Sequence, residues 1–179
     1  MRFVVMFAGA VLALPAAVIL YFTRRTASDS RQAVFAAGGI PDPLPHGLYR
    51  GSVPGYEGLA AAWYGKRFEA AACAGVNLLR ANDQLRETAP FRTYQDRSLH
   101  DSGREVLRVD YNLTENPFWL RICADELVQL EPGHLLGKAF VRLIPGHPFA
   151  MLFFELQAED SVAESELSGP SPAGHDSTE

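Results

Sequence analysis

The sequence has few of the residues that mark catalytic and metal sites. It contains two cysteines and five histidines, and no two histidines have the H-x-H or H-x3-H spacing of a metal site. It also lacks the G-x-S-x-G elbow, the Gly-rich phosphate loop and the H-E-x-x-H helix. No cofactor and no metal are therefore expected.

The sequence also lacks a concentration of positive charge. Its net charge is −5, and six of its 21 acidic residues lie from position 158 onward, where there is no Lys or Arg. The rest of the chain carries 15 acids against 16 bases, with no basic cluster interleaved with aromatics. Because nucleic-acid binding needs such a cluster, no nucleic-acid partner is predicted.

The two cysteines do not decide the compartment of the protein. Cys73 and Cys123 are too far apart for a CxxC redox motif or a zinc ribbon. In an exported domain they are able to pair, whereas in a cytosolic domain they are two buried thiols. Both interpretations stay open at this point.

A long apolar run stands at the N terminus. Residues 3–22 are 20 consecutive uncharged residues, and a helix of about 20 residues crosses the ~30 Å hydrocarbon core of a bilayer. The core of a cleaved signal peptide is shorter, about 7 to 15 residues. We therefore predict a retained single-pass anchor over residues 1–25, with a cleaved signal peptide as the alternative. The arginines after the run exceed the positive charges before it by one, which favours a cytoplasmic domain.

Two further segments flank the predicted domain. Residues 26–45 contain Gly-Gly and then Pro41, Pro43 and Pro45, which predicts a semi-extended tether without a helix. Residues 158–179 are polar, acidic and rich in turn formers, which predicts a disordered tail. The ordered domain is then expected over residues 46–157.

Within this domain, apolar and polar residues mostly alternate, as in half-buried strands. Leu107, Val109 and Tyr111 share one face of such a segment, and Arg108 lies on the other. About six to eight short strands without a long helical period predict a mostly β fold, a small antiparallel meander closed into a barrel. The predicted strands include 47–53, 66–70, 74–80, 118–123, 125–131 and 135–143.

The last predicted strand, P-F-A-M-L-F-F-E-L-Q, is apolar on both of its faces. Such a strand must be covered on both sides. Residues 57–64 are the stretch most suited to a short helix, and they are expected to form the cover. A protein partner or the bilayer surface are the alternatives.

The stretch W-Y-G-K-R-F at residues 63–68 places aromatic rings around Gly65 and a basic pair. Gly65 permits a close backbone approach or a positive φ. Lys66 or Arg67 is able to lie on the indole face of Trp63. Anchoring of a strand start in the core is a simpler interpretation than a ligand contact, because aromatic stripes are usually core.

This stretch resembles the W-x-G-K-x-F element of the bacterial GxWxG proteins, which are lipocalin-like domains. These proteins also end in an aromatic-rich strand, as the M-L-F-F-E-L stretch does here. Ala61 replaces the first glycine of their pattern. The resemblance implies a lipocalin-like barrel in which Trp63 closes the bottom and packs on a basic side chain, and it brings no catalytic residues with it.

A second aromatic stretch, N-P-F-W-L-R, follows the middle of the domain. Arg121 alternates with Trp119 on one face, from which it would reach a pocket mouth and bind a carboxylate head group. The alternative is a surface arginine paired with Asp125 or Glu126, a contact of little energetic value.

Three functions are compared on this basis. The leading one is a membrane-anchored, lipocalin-like domain that binds an apolar or amphipathic, lipid-like molecule in a cavity of several hundred Å³. The second is a membrane-tethered scaffold or assembly factor that docks a protein partner through the last strand and the tail. The third is an enzyme, which requires Asp125, Glu126 and His134 to converge in one cleft. The predicted ligand-binding residues are the aromatic Trp63, Tyr111, Trp119, Phe140 and Phe154 and the basic Lys66, Arg108 and Arg121.

Overall fold

A computed structural model describes residues 17–58, 61–82 and 84–159 of the chain. Most of the predicted anchor, residues 1–16, and the predicted acidic tail from residue 160 lie outside the described residues. Among the residues that are described, none of the helices combines the length and the apolar character that crossing a membrane requires.

Eight antiparallel strands follow one another around a closed barrel, in which the last strand also pairs with the first. The predicted mostly β, closed antiparallel meander is therefore confirmed. Eight-stranded up-and-down barrels of this kind include the lipocalin-like folds. The strands are β1 (Gly47–Ser52), β2 (Trp63–Glu69), β3 (Ala74–Ala81), β4 (Gln84–Arg97), β5 (Glu105–Asp110), β6 (Cys123–Glu131), β7 (His134–Ile144) and β8 (His147–Ala158).

The up-and-down order gives the barrel two different ends. The β1–β2, β3–β4, β5–β6 and β7–β8 connections lie at one end, which we call the mouth end. The opposite end, the base end, carries the other three connections and the points where the chain enters β1 and leaves β8. Buried Phe68, Leu127 and Leu156 belong to the core that fills the interior.

Strand β2 contains a bulge that the W-Y-G-K stretch explains. The register against β3 shifts between Trp63 and Gly65, so one extra residue is inserted on β2. Residues 63 and 66 would otherwise point to opposite faces of the sheet, and the bulge brings both into the interior. Gly65 has a φ of +152°, and a Cβ there would overlap the carbonyl oxygen of Tyr49. The predicted close backbone approach at Gly65 is confirmed.

A helix that the sequence did not predict packs on the outer face of the barrel. Helix α1 (Arg31–Ala37) places Phe35, which is fully buried, in a cluster of apolar side chains from β5 to β8. The prediction of a helix-free tether over residues 26–45 is therefore wrong. The prolines on which it rested follow the end of α1. The residues packed with Phe35 are Val106, Val128, Leu136 and Phe153.

Helix α1, and not the predicted segment 57–64, covers the outer face of β8. The outward apolar face of β8 includes Phe153, whose ring centre lies 5.9 Å from that of Phe35. Residues 57–58 and 61–62 are turns and β2 begins at Trp63, so the described part of the segment expected to form a helical cover is not helical. The cover comes from α1 instead.

Two strand predictions also differ from the structure. Residues 118–122 form turns, and β6 begins at Cys123, because Leu120 and Cys123 donate backbone hydrogen bonds to Pro117 and Leu120. The 14-residue strand β4 was missed. Its exposed polar residues and the internal Pro90 hide the alternation, and the register of β3 against β4 shifts at this level.

Candidate functional site

Lys66 lies at the centre of a polar cluster inside the barrel. Its side chain is 2% exposed, and its Nζ lies 3.0 Å from Oδ2 of Asp125 and 3.0 Å from Oδ1 of Asn77. The ammonium also donates to the hydroxyl of Tyr111. Tyr111 donates to Oδ2 of Asp125 at 2.8 Å, and Nε1 of Trp63 donates to Oδ1 of Asn77 at 3.1 Å. We call these five residues the interior polar cluster.

Aromatic rings surround the same ammonium group. The ring centres lie between 5.2 and 5.7 Å from Nζ of Lys66, within the range of cation–π attraction. The predicted packing of Lys66 on Trp63 is among these contacts and is confirmed. The rings belong to Trp63, Phe91, Tyr111 and Phe154.

Glycines on neighbouring strands make room for three of these rings. Trp63 lies against Gly51, Phe91 against Gly75 and Phe154 against Gly137. A Cβ at any of these glycines would overlap the ring that it faces. The positions of the rings around Lys66 are therefore set by close contact with backbone.

Burial controls the protonation of the cluster. It lowers the pKa of Lys66 below its ordinary value, and the charge and hydrogen bond of Asp125 act against this shift. Burial also raises the pKa of Tyr111 well above 10, and the nearby Asp125 adds to the shift. Tyr111 therefore keeps its proton at neutral pH. The paired charges of Lys66 and Asp125 cancel.

Two adjoining cavities lead to this cluster from the mouth half of the barrel. The outer cavity has a volume of about 730 Å³, and its wall is mainly apolar, including Trp119, Leu120 and Met151. The inner cavity, about 180 Å³, borders Lys66 and Phe154. The outer volume falls in the predicted range of several hundred Å³, which is usual for small-ligand sites. Both cavities are bordered by Trp63, Asn77, Tyr111, Asp125 and Ala139.

Most of the predicted ligand-binding residues lie at these cavities. Trp63 and Tyr111 border both of them, although the family resemblance implies a place for Trp63 at the bottom of the barrel. Lys66 and Phe154 border the inner cavity, and Trp119 and Phe140 border the outer one.

The two predicted arginines do not lie at the cavities. Arg108 is 2% exposed on the outer face, where its Nη2 lies 3.1 Å from Oε1 of Glu126. Arg121 is exposed, and its Nε donates to Oδ1 of Asn112 at 3.1 Å. The prediction that these arginines border the binding cavity is wrong, because successive residues of a strand face opposite sides and the 118–123 segment is not a strand.

The residues considered for acid–base catalysis are separated. Asp125 lies in the interior, Glu126 points to the outer face, and His134 contacts Glu155 at 3.1 Å. The described residues hold no group of three or more His, Cys, Asp or Glu side chains suited to a metal ion. Cys73 and Cys123 are both free thiols.

Sequence reasoning missed Asn77 as a site residue, and it considered Asp125 as an acid–base group or a partner of Arg121 but not as a ligand-binding residue. Asn77 and Asp125 occupy inward positions of β3 and β6 that apolar residues usually fill. The sequence feature that could have revealed them is a polar residue inside a predicted strand: Asn77 in G-V-N-L-L and Asp125 in C-A-D-E-L. Asn77 is held by its Nδ2, which donates to the carbonyl of Ala89 at 3.2 Å and to the Tyr111 hydroxyl at 3.2 Å.

A second buried lysine lies outside the barrel, beneath α1. Lys138 is 1% exposed, and its Nζ lies 2.7 Å from Oδ2 of Asp101 and 2.8 Å from Oε1 of Gln32. Ring centres of Phe35 and Phe153 lie 5.0 and 5.6 Å from this nitrogen. Lys138 therefore joins α1, β7 and the β4–β5 loop.

The chain matches no protein-family model, and no curated protein or solved structure matches it either.

Proposed function

We propose that this barrel binds an apolar small molecule with an uncharged polar end group, and that residues 1–25 tether the barrel to a membrane. The observation that carries the proposal is the pair of adjoining cavities, whose apolar wall leads to a buried and charge-compensated polar cluster. The lipocalin-like resemblance of residues 63–68 supports the same class of function.

The interior polar cluster favours an uncharged end group. An ammonium has three N–H donors, and Lys66 directs its donors to Asn77, Tyr111 and Asp125. The positive charge of Lys66 is already paired with Asp125, so it does not attract an anionic head group. Arg108 and Arg121, which were expected to hold a carboxylate, lie elsewhere.

Asp125 offers a hydrogen-bond acceptor at the cavity wall. The contacts to Asp125 among the described residues end on Oδ2, and Asp125 borders both cavities. Its Oδ1 is then open to a donor from a ligand. A hydroxyl or amide N–H at the end of an apolar body satisfies this oxygen without bringing a buried net charge.

The membrane tether is the second part of the proposal. It rests on the uninterrupted apolar run of residues 3–22, followed by Arg24 and Arg25. The excess of positive charge after the run supports a cytoplasmic barrel. A scaffold function is less supported, since α1 covers the outer face of β8 on which it depended.

Equilibrium binding of labelled dodecanol and dodecanoate tests the ligand class. The full chain is placed in nanodiscs, and binding to empty nanodiscs is subtracted. We expect dodecanol to bind at least about tenfold more tightly, because burying an uncompensated carboxylate costs more than one hydrogen bond. Equal or tighter binding of dodecanoate would contradict an uncharged end group.

A cavity-filling substitution tests the location. Ala139→Leu adds bulk where the two cavities adjoin, and we expect it to abolish dodecanol binding. Ala71→Leu is the matched control, since Ala71 is exposed at the base end. If both variants bind like the unsubstituted chain, the ligand does not occupy these cavities.

A further inference from the structure

We propose that the mouth end of the barrel lies on the surface of the lipid bilayer, so that the ligand passes from the membrane into the cavity without crossing water. This inference rests on the proposed function, because it uses the N-terminal tether. It adds an interaction surface, a partner and a route for the ligand. Three observations support it.

The first observation is a rim of exposed apolar side chains at the mouth end. Phe118 is 82% exposed and Trp119 59% exposed, both on the β5–β6 loop. Leu143 and Ile144, about half exposed, end β7 just before the β7–β8 turn, and Leu79 lies near the end of β3. We call these five residues the apolar rim.

The base end is different in character. Its described strand ends and loops carry charged and titratable residues, namely Glu69, His100, Asp101, Glu131 and His134. Among the described residues toward this end, Leu44 in the segment before β1 and Val34 on α1 are exposed large apolar side chains, at 37% and 47%. Large exposed apolar patches mark protein or membrane contacts, and in the described part of the chain the five rim residues gather such side chains at the mouth end.

The second observation is the place where the N-terminal chain meets the barrel. Residues 17–27 are helical, and the ring of Phe22 lies 5.6 Å from that of Tyr56 in the β1–β2 loop. The guanidinium of Arg25 lies 4.8 Å from the same ring centre. The helix therefore contacts the barrel at its mouth end.

The sequence before this helix identifies the occupant as lipid. Residues 3–16 continue the apolar run without a charge, and a 20-residue apolar run is stable in hydrocarbon. Val18, Leu20 and Tyr21 of the helix are about half exposed. Since the run ends beside the mouth, the bilayer that holds the run adjoins the apolar rim.

The third observation is that the rim borders the route to the ligand site. Trp119 belongs both to the rim and to the wall of the outer cavity. A protein seated on the rim would obstruct the cavity, whereas a bilayer would supply apolar molecules to it. Tryptophan is also enriched at the membrane interface, where it has an apolar body and a polar N–H.

Depth-dependent quenching tests the orientation. The full chain is reconstituted in phosphatidylcholine vesicles with or without brominated acyl chains. The chain has two tryptophans, so Trp63→Phe leaves Trp119 as the reporter. We expect the brominated chains to quench Trp119 and aqueous acrylamide to quench it weakly.

A matched reporter on the barrel wall provides the control. Tyr94→Trp, in a chain with Trp63→Phe and Trp119→Phe, places the indole at a 41% exposed site away from the rim. We expect acrylamide to quench this reporter and brominated lipid to leave it unchanged. Equal lipid quenching at both sites would contradict a mouth-down orientation.

The outcomes separate the failure of this inference from the failure of the proposed function. If the chain does not float with vesicles, the tether is wrong and the inference falls with it. If it floats but Trp119 is quenched by acrylamide alone, the tether stands and the orientation is wrong. Protection of Trp119 from both quenchers would indicate a protein or a second copy on the rim, which also overturns the inference.

A rim variant tests the ligand route. Phe118→Ser/Ile144→Ser changes exposed side chains that do not border the described cavities. We expect transfer of labelled dodecanol from donor vesicles to slow about tenfold, since removing large apolar side chains from the interface weakens the contact by that order. Equilibrium affinity in nanodiscs stays unchanged. Leu44→Ser/Tyr94→Ser is the control, and equal rates for the two variants would refute the route.

Discussion

Asp125→Asn tests whether the interior polar cluster contains a buried charge that depends on its partner. The substitution keeps the shape of the side chain and its ability to accept from Tyr111, but it removes the counter-charge 3.0 Å from Lys66. Lys66 is almost fully buried, so it must then lose its proton or stay charged without a partner. Breaking a buried pair in this way costs about 3 to 5 kcal/mol.

The pH dependence of this loss follows from the pKa of lysine. Unfolded lysine titrates near pH 10.4, and each pH unit is worth about 1.36 kcal/mol, so keeping Lys66 neutral costs up to about 4.6 kcal/mol at pH 7. With the folded pKa lowered, the unfolded chain binds the extra proton throughout this window. The free energy of unfolding therefore rises with pH, and the loss shrinks to about 2 kcal/mol at pH 9.

Urea unfolding of the full chain in mild detergent, at pH 7 and pH 9, measures both effects. The double substitution Lys66→Met/Asp125→Asn removes the orphan charge, and we expect it to recover about 2 kcal/mol and to lose the pH dependence. Glu105→Gln is the control at an exposed carboxylate, with an expected change below about 0.5 kcal/mol. A small, pH-independent loss for Asp125→Asn would refute the argument.

Three other predictions concern the scaffold around the site. Gly65→Ala should destabilise the barrel by about 1 to 3 kcal/mol or more, because a Cβ there meets the neighbouring strand. The measurement is thermal unfolding, and an unchanged midpoint would contradict the bulge. Phe35→Ala should lower the free energy of unfolding by about 3 to 5 kcal/mol, because Phe35 is fully buried. Val34→Ala, at the exposed neighbouring position, should lower it by less than about 0.5 kcal/mol. Equal effects would mean that α1 is not docked on the barrel. Burial raises the pKa of Asp101, but the hydrogen bond and charge of Lys138 outweigh it and hold the pKa below 3.8. The stability from this contact is therefore lost as pH falls below about 4, and Asp101→Asn should flatten the acid limb of the unfolding curve.

The features that the sequence predicted well are those set by neighbours along the chain. Leu107, Val109 and Tyr111 alternate strictly, and all three point into the barrel. The close backbone approach at Gly65 was expected from the W-Y-G-K stretch, although the carbonyl oxygen that a Cβ would meet belongs to Tyr49 on β1. The two apolar faces of β8 were also visible, because both sets of residues lie in one stretch.

The features that it did not predict depend on contacts between distant segments. Lys66 and Asp125 are on strands that do not pair, and their contact across the interior requires the closed barrel and the bulge in β2. The alternation correctly placed Arg108 on the outward face of β5. This outward face is itself covered, and Arg108 is 2% exposed. Arg108 contacts Asp96, Arg97 and Glu126 there. Phe35 of α1 packs on Val106 of the same face, and α1 lies in a segment whose prolines and glycines dominate the local pattern.

The burial of Lys66 and Lys138 has a consequence for the chemistry of the protein surface. They are the only two lysines among the 16 Lys and Arg residues of the whole chain, and neither is more than 2% exposed. The folded barrel thus offers arginine but no lysine amine to solvent, so acetylation, ubiquitin attachment or amine-directed cross-linking has no side-chain acceptor. Acylation of either lysine by an amine-reactive ester would report that the barrel had opened.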